Sequence, residues 1–518
     1  MRSAKLKAMI LGLCLALLPA RASADVKLPP VISSHMVLQR EMPVPIWGTA
    51  KPGEKVMVKF RDQEKTTEAN DKGKWLVKLD PLKAGGPDTL TVTATNTLKL
   101  DDVLVGEVWV GSGQSNMQGS VSSYAKSDDV LAKLAAGSYP KVRLMGSGRS
   151  GWLAADPKNN GSFSALLFAF GVRLQQDLDV PVGLIVGAVG GTPSGAWVGD
   201  DMLAKDEASQ QTIKKFAATY DLEKLKLKYD ADLIQWEKAV VEAKKSEKKP
   251  PVKPLPPLKA GEMRGKIGNL YDAHIKPFQP YAIRGVVWDQ GESGTAVTGL
   301  DQYTLMGALI RGWRLAWGQE FAFIFIQKPS GGGPAWDHLD AVTAQADKFS
   351  KLPAVVPPLS AGVYRENHIR IMNYPNTAMA ITSDLGPGVH PINKSGYGTR
   401  ASRVALGMVY GKKIEYYGPI FEGHKTEGSK IRVTFKHVGQ GLAFKNGDKL
   451  QGFAVAGSDK AFVWADAVID GNAVLVSSPK VVEPVAVRYA WSQTHPWANL
   501  FNRDGLPAVP LRTDAWEK

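Results

Sequence analysis

Val103-Leu-Val-Gly-Glu-Val-Trp-Val110 runs directly into Gly111-Ser-Gly-Gln-Ser-Asn-Met117. The first stretch is apolar apart from Glu107 and lacks the alternation of a strand half open to water. A run of this kind fits a strand of a parallel sheet that is covered on both faces. The second stretch is small, polar and rich in glycine. In open parallel sheets, ligands gather beyond the carboxyl ends of the strands, so Ser115 stands where chemistry is expected. Taken alone, a serine here is as well explained as a helix cap.

Four more runs share this texture: Val182-Gly-Leu-Ile-Val186, Ile283-Arg-Gly-Val-Val-Trp288, Phe321-Ala-Phe-Ile-Phe-Ile326 and Ala378-Met-Ala-Ile-Thr382. Between them fall helical patterns. Phe163, Leu166, Leu167, Phe170 and Leu174 share one helix face, as do Tyr303, Met306, Leu309 and Ile310. Alternating strands and helices define an α/β domain, expected over residues 104–412. A Lys/Glu-rich segment at 201–259 ends in Pro250-Pro-Val-Lys-Pro-Leu-Pro-Pro257 and is expected to be a helical insertion with a stiff linker.

On either side the texture changes. Residues 25–103 hold short β-rich runs such as Lys55-Val-Met-Val-Lys-Phe60 and Thr89-Leu-Thr-Val-Thr-Ala94, separated by Gly, Pro, Asn and Asp. Such spacing predicts a small β-sandwich. Residues 413–518 are again β-rich, with Lys430-Ile-Arg-Val-Thr-Phe435, Gly452-Phe-Ala-Val-Ala456, Ala473-Val-Leu-Val-Ser477 and Val485-Ala-Val-Arg-Tyr489.

The first 24 residues read as an export signal. Arg2, Lys5 and Lys7 precede an apolar run from Ala8 to Leu18, and Ala22-Ser-Ala24 supplies the cleavage pattern. The apolar run falls short of the roughly 20 residues a spanning helix needs, so no stable membrane insertion is expected. The destination is a periplasm or the outside of the cell. Cys14, within this leader, is the only cysteine of the 518 residues. The mature chain is therefore expected to lack disulfides, cysteine nucleophiles and thiolate metal sites. No His-Glu-x-x-His occurs, and no metal or cofactor is expected. The net charge is +14, of which Arg2, Lys5, Lys7 and Arg21 belong to the leader, and many of the lysines alternate with acids between Lys205 and Lys259. That is the pattern of a solvated helix, not of a nucleic-acid groove. No Gly-x-Ser-x-Gly elbow is present.

Four blocks in order then carry a resemblance. Gly113-Gln-Ser-Asn-Met117 resembles the nucleophile block of the sialate O-acetylesterase family, a branch of the SGNH hydrolases. Gly190-Gly-Thr-Pro193 with Ala196-Trp197 resembles its glycine block, and Trp288-Asp-Gln-Gly-Glu-Ser293 its third block. His390-Pro-Ile-Asn-Lys394, with Gly396 and Arg400, resembles the histidine block. The flanks His35-Met-Val-Leu-Gln-Arg40, Val485-Ala-Val-Arg-Tyr-Ala-Trp491 and Gly505-Leu-Pro507 match as well, so the resemblance spans nearly all of the mature chain.

The resemblance implies an SGNH-type, flavodoxin-like parallel sheet with helices on both faces, flanked by β-sandwich-like domains. It also implies roles. Ser115 would be the nucleophile and His390 the base. The Ser115 and Gly191 N–H groups and the Gln290 amide would form an oxyanion hole, each donor worth roughly 3 kcal/mol. Glu292, Asn116 and Trp336 would contact the sugar. The acid of the triad is expected at Asp384, with Glu292 or a bare Ser–His dyad as open alternatives, because Gly388 and Pro387 occupy the usual aspartate positions. Asp289 and Gly294 depart from the tyrosine and asparagine usual in the third block. Trp336-Asp-His338 is expected in a loop near the pocket, and Arg365, Glu366 and His368 at the surface. The expected activity is hydrolysis of O-acetyl esters on an acetylated sugar, and two alternatives stand beside it. One is an acetylesterase of plant or algal polysaccharide; the other is a carbohydrate-binding protein that keeps the scaffold without turnover.

Overall fold

The computed structural model describes residues 25–516 except 147, 149, 328–348, 387 and 446. The leader at 1–24 lies outside the described residues. The amino-terminal region supplies β1 (Val37–Gln39), β2 (Val44–Thr49), β3 (Lys55–Phe60), β4 (Gln63–Glu68), β5 (Lys74–Leu79), β6 (Gly85–Thr93) and β7 (Thr97–Gly113). The α/β region adds β8 (Tyr139–Gly146), β9 (Leu153–Ala155), β10 (Val182–Ala188), β11 (Gly285–Asp289), β12 (Ala322–Ile326) and β13 (Thr377–Ala380).

The 17-residue β7 joins the two regions. From Thr97 to Asp102 its residues are exposed or half-buried, and from Val103 onward every one is buried. Its first part pairs antiparallel with β6, and Leu104 pairs parallel with Val37 of β1. Its second part pairs parallel with β10 and β11. The boundary expected at 103/104 therefore falls inside one strand, and one hydrophobic core runs from Val26 to Val509. The change of texture in the sequence marks a change of environment along a strand, not a break between units. β2 and β5 form a separate two-stranded ribbon, while β3, β4 and β6 belong to the same mixed sheet as β7.

Within that sheet the parallel strands stand in the order β13-β12-β11-β7-β10-β8, with β9 antiparallel at the edge. The five apolar runs all became strands, and the sheet order of those five is second, first, third, fourth, fifth. β8, not expected, extends the sheet beyond β10. Both faces are covered. Trp109 meets Phe170 of helix Ala165–Leu178 on one face, at 5.1 Å between ring centroids. Trp288 meets Trp313 of helix Gln302–Trp317 on the other, at 5.9 Å.

Glu107, wholly buried in β7, accepts hydrogen bonds from Arg284 Nε at 2.7 Å, Gln39 Nε2 at 3.0 Å and Arg40 Nε. One carboxylate thus ties β1, the residue after it and the residue before β11 to the middle of β7. The charge is affordable in the core because two guanidinium groups face it.

The insertion forms helices Asp200–Lys205, Glu207–Ala217 and Leu222–Lys245, and the longest has no buried residue. The carboxy-terminal region has its own core, built from residues such as Ile431, Val433, Val455, Val474 and Val487. Its four expected runs all contribute strands. One antiparallel sheet contains Ile420–Glu427, Lys430–Lys436, Ala473–Ser477 and Asp466–Asp470. A second contains Phe453–Ala456 and Ala486–Tyr489.

Arg365 and His368, expected at the surface, are each 1% exposed. They lie on helix Ser360–Ile369, and Arg365 Nε donates to the Ser492 carbonyl at 3.3 Å. Glu366 pairs with Arg512 at 2.9 Å. Beside them burial, reinforced by the Arg365 charge, pushes the His495 imidazole well below the usual histidine range. Folded His495 stays neutral while the unfolded chain takes up a proton below about pH 6.5. Its contribution to stability is complete above that pH and is lost as pH falls, at up to about 1.4 kcal/mol per pH unit. Thermal melting from about pH 7.5 to 5.5 is expected to show a steeper fall for the native chain than for His495→Phe. Equal slopes would show that His495 is not the group responsible.

Candidate active site

The end of β7 is set by Gly113. Its φ is 128°, and a Cβ there would stand 2.1 Å from the Asp289 carbonyl oxygen, so only glycine lets β7 finish against β11. Gln114 N–H donates to that carbonyl at 2.8 Å, and the Gln114 carbonyl accepts from Met117 and Gln118 N–H. The helical turn Ser115–Gln118 follows at once. Ser115 is thereby held, half-buried, just beyond the sheet.

Across from it, the His390 Nε2 lies 2.8 Å from Ser115 Oγ. The two residues are 275 positions apart, and the imidazole is exposed. The loop that carries it is pinned from below. Asn116 Nδ2 donates to the Val389 carbonyl at 3.0 Å, and Asn116 Oδ1 accepts from Lys394 Nζ at 2.6 Å. Lys394 is fully buried, with its ammonium 4.7 Å from the Tyr124 ring centroid and 5.1 Å from that of Tyr397. Asn393 caps the following helix by accepting from Gly396 N–H at 2.8 Å.

The glycine block approaches from β10. Gly190 N–H donates to Gln118 Oε1 at 2.8 Å, and a Cβ on Gly190 would stand 3.4 Å from Ser115 Cβ. Gly191 has a φ of 72° and open space around it. The Ser115 N–H opens a helical turn, where amides have no intrahelical acceptor. Glu292, after β11, accepts from Gln114 Nε2 and from Asn116 Nδ2 at 3.3 Å. Three strand ends and the histidine loop therefore converge on one serine.

Several expected roles need correction. Gln290 is wholly buried, and its amide donates to the carbonyls of Thr192 at 3.3 Å and Gly294 at 3.1 Å. Both amide hydrogens are engaged by backbone carbonyls, so Gln290 braces the loops. Asn116 is also wholly buried, and its amide holds the Val389 carbonyl. Asp384 is 3% exposed and holds Arg400 in a two-armed ion pair at 3.0 and 3.3 Å. Among the described residues no carboxylate hydrogen-bonds to His390. Asp289 is wholly buried, and Gly294 has a φ of 59°, which favours glycine over the usual asparagine. Trp336, with its neighbours Asp337 and His338, lies outside the described residues.

Lys394 and Gln118 were given no role from the sequence. The signal was present for Lys394, which sits inside the histidine block, but its burial depends on Tyr124, far away in the chain. Among the described residues no group of three or more His, Cys, Asp or Glu could hold a metal ion, and no helix is long and apolar enough to cross a membrane.

No protein-family model matches the chain. A carbohydrate acetylesterase from Xanthomonas citri, known from its crystal structure, is 30% identical. The match covers 95% of this chain and 100% of that one, with a TM-score of 0.73. Mouse sialate O-acetylesterase is 28% identical over 89% of this chain and 88% of its own length. The human sialate O-acetylesterase is 26% identical over 93% and 91%. By fold and relatives the protein is a carboxylic ester hydrolase of carbohydrates. More particularly, the chain belongs with the carbohydrate acetylesterases, and sialate O-acetylesterases are among its relatives.

The Asp384–Arg400 pair generates a clear expectation. Removing one partner of a buried ion pair costs about 3–5 kcal/mol. Asp384→Asn should therefore lower the melting temperature, while acetate release per folded molecule stays within about threefold of the native value. A fall of about 10⁴-fold in a protein of unchanged stability would return Asp384 to the triad.

Proposed function

We propose that the protein removes O-acetyl groups from sugars through an acetyl-serine intermediate, with Ser115 as nucleophile and His390 as base. The observation that carries this reading is the 2.8 Å contact between His390 Nε2 and Ser115 Oγ. With the proton on Nδ1, Nε2 is free to accept the hydroxyl proton as Oγ attacks the acetyl carbonyl carbon. The carbonyl oxygen becomes an oxyanion, faced by the N–H groups of Ser115 and Gly191. Collapse breaks the ester bond, and the sugar oxygen leaves with the proton held on His390. Water then attacks the acetyl-serine, again losing its proton to His390, and acetate departs as the carbon–Oγ bond breaks and Ser115 Oγ takes that proton back.

Within this mechanism the imidazole is oriented through its backbone. Asn116 holds the Val389 carbonyl, and Lys394 holds Asn116. A Ser–His pair set in this way needs no further acid. The five-strand order and the placing of Ser115, Gly191 and Glu292 beyond the strand ends support an SGNH-type arrangement. O-Acetylated sialic acid is the substrate favoured by the named relatives of the chain. The acetylated polysaccharide reading draws on the bacterial carbohydrate acetylesterase, which is at least as similar. Export is part of the proposal, supported by the charged, apolar and small-residue order of residues 1–24.

The test is acetate release from a small aryl acetate, acetylated sialic acid and acetylated xylan. Ser115→Ala should lose roughly 10⁴- to 10⁶-fold in kcat on every substrate that the native chain turns over. An organophosphate should label the native chain at Ser115 alone. Full activity in Ser115→Ala would overturn the serine mechanism, and the ranking of the two acetylated substrates decides between the sugar classes.

A further inference from the structure

A second cavity, of about 770 Å³, lies between the β2–β5 ribbon and the chain that leads into β11. Its walls include Lys27, Trp47, Glu68, Lys74, Trp75 and Gln279. Gly48 makes this arrangement possible. A Cβ there would stand 2.2 Å from the Lys27 carbonyl oxygen and 2.9 Å from Trp75 Cζ2, so the amino-terminal segment and the indole close together only over a glycine. Trp47, half-buried, is steadied edge-on by Tyr281 at 6.3 Å between ring centroids.

Two donors in these walls are left over by the fold. Trp75 is 3% exposed, and its Nε1 has no hydrogen-bond partner among the described residues. Gln279 Nε2 is likewise buried without a partner there, while Gln279 Oε1 accepts from the Tyr271 hydroxyl at 2.9 Å. A buried donor without an acceptor costs about 1–3 kcal/mol. Both nitrogens are closed off behind the wall, so the polar groups open to a ligand lie at the rim, with the exposed Asn70 among them. Lys27, Glu68 and Lys74 are exposed at the rim and carry both signs of charge, which favours a neutral ligand. A pyranose ring fits this chemistry. Its C–H face packs on an indole and its hydroxyl edge meets planar polar groups, the mixture found in small-ligand sites.

The geometry points to a second carbohydrate site at Trp47 and Trp75 that holds a neutral stretch of glycan apart from Ser115, an inference that rests on the carbohydrate esterase assignment. Gln279 lies before β11 and Glu292 after it, so the strand itself separates the two places by roughly 17 Å along its five residues. Such a site holds the enzyme on a polymer and raises the local concentration of acetylated residues at Ser115.

The experiment uses the full chain carrying Ser115→Ala, which cannot consume a ligand, titrated calorimetrically with unacetylated xylohexaose and mannohexaose. At least one is expected to bind. Trp47→Ala removes the stacking face, and Thr49→Arg fills the rim from an exposed position while leaving the core untouched. Each should weaken binding by roughly tenfold or more. With Ser115 intact, each should leave aryl acetate hydrolysis per folded molecule unchanged and slow acetate release from acetylated xylan, and Thr49→Arg should also leave the melting temperature unchanged. Affinity that survives both substitutions overturns the site, as does the absence of binding by either oligosaccharide. Binding confined to an acidic sugar such as sialyllactose overturns the neutral assignment. Aryl acetate hydrolysis reports on the esterase reading separately, so the two fail independently.

Discussion

The buried Glu107 carboxylate is the constraint on which much of the molecule depends. It sits in the middle of β7, and its partners Gln39, Arg40 and Arg284 come from the chain before the strand and from the approach to β11. A lone charge in that position would cost several kcal/mol. The two arginines and the glutamine must therefore be in place whenever β7 is buried. That requirement sets β1, β7 and the start of β11 in a common register. The far ends of the same strands then deliver Ser115 and Glu292 side by side. The site is positioned by an ionic knot in the middle of the strand that carries its serine.

Much of this was legible because the physics is local. A continuous apolar run has few options other than a covered strand, and all five such runs became parallel strands. β8 was invisible for a local reason of its own. It holds Pro140, Lys141 and Arg143, and the Arg143 guanidinium is tolerated inside because it grips Asp102 at 2.8 and 3.0 Å. Asp102 is distant in sequence, so nothing near Arg143 announces a buried strand.

The site divides in the same way. The family blocks single out Ser115, Gly191 and His390, and His390 Nε2 stands 2.8 Å from Ser115 Oγ. The amides were harder. Gln290 and Asn116 are residue types that serve equally well as ligand contacts or as internal braces, and the choice depends on which carbonyls lie within reach. Thr192 and Gly294 occupy the donors of Gln290; Val389 and Glu292 occupy those of Asn116. Asp384 shows the same limit, since Arg400 comes from the next helix and claims the carboxylate first.

The uninterrupted course of β7 has a consequence for how such a protein can be assembled over generations. A segment that ends in half a strand is no cassette. If the first hundred residues were cut away and a foreign module joined in their place, the incoming piece would have to continue β7 in register and replace Arg40 and Gln39 at Glu107. The carboxy-terminal region continues no strand of that sheet, and is tied to it by packing and by side-chain contacts such as Glu366–Arg512. Recombination thus has to match a strand at one end of the chain, and side-chain contacts at the other.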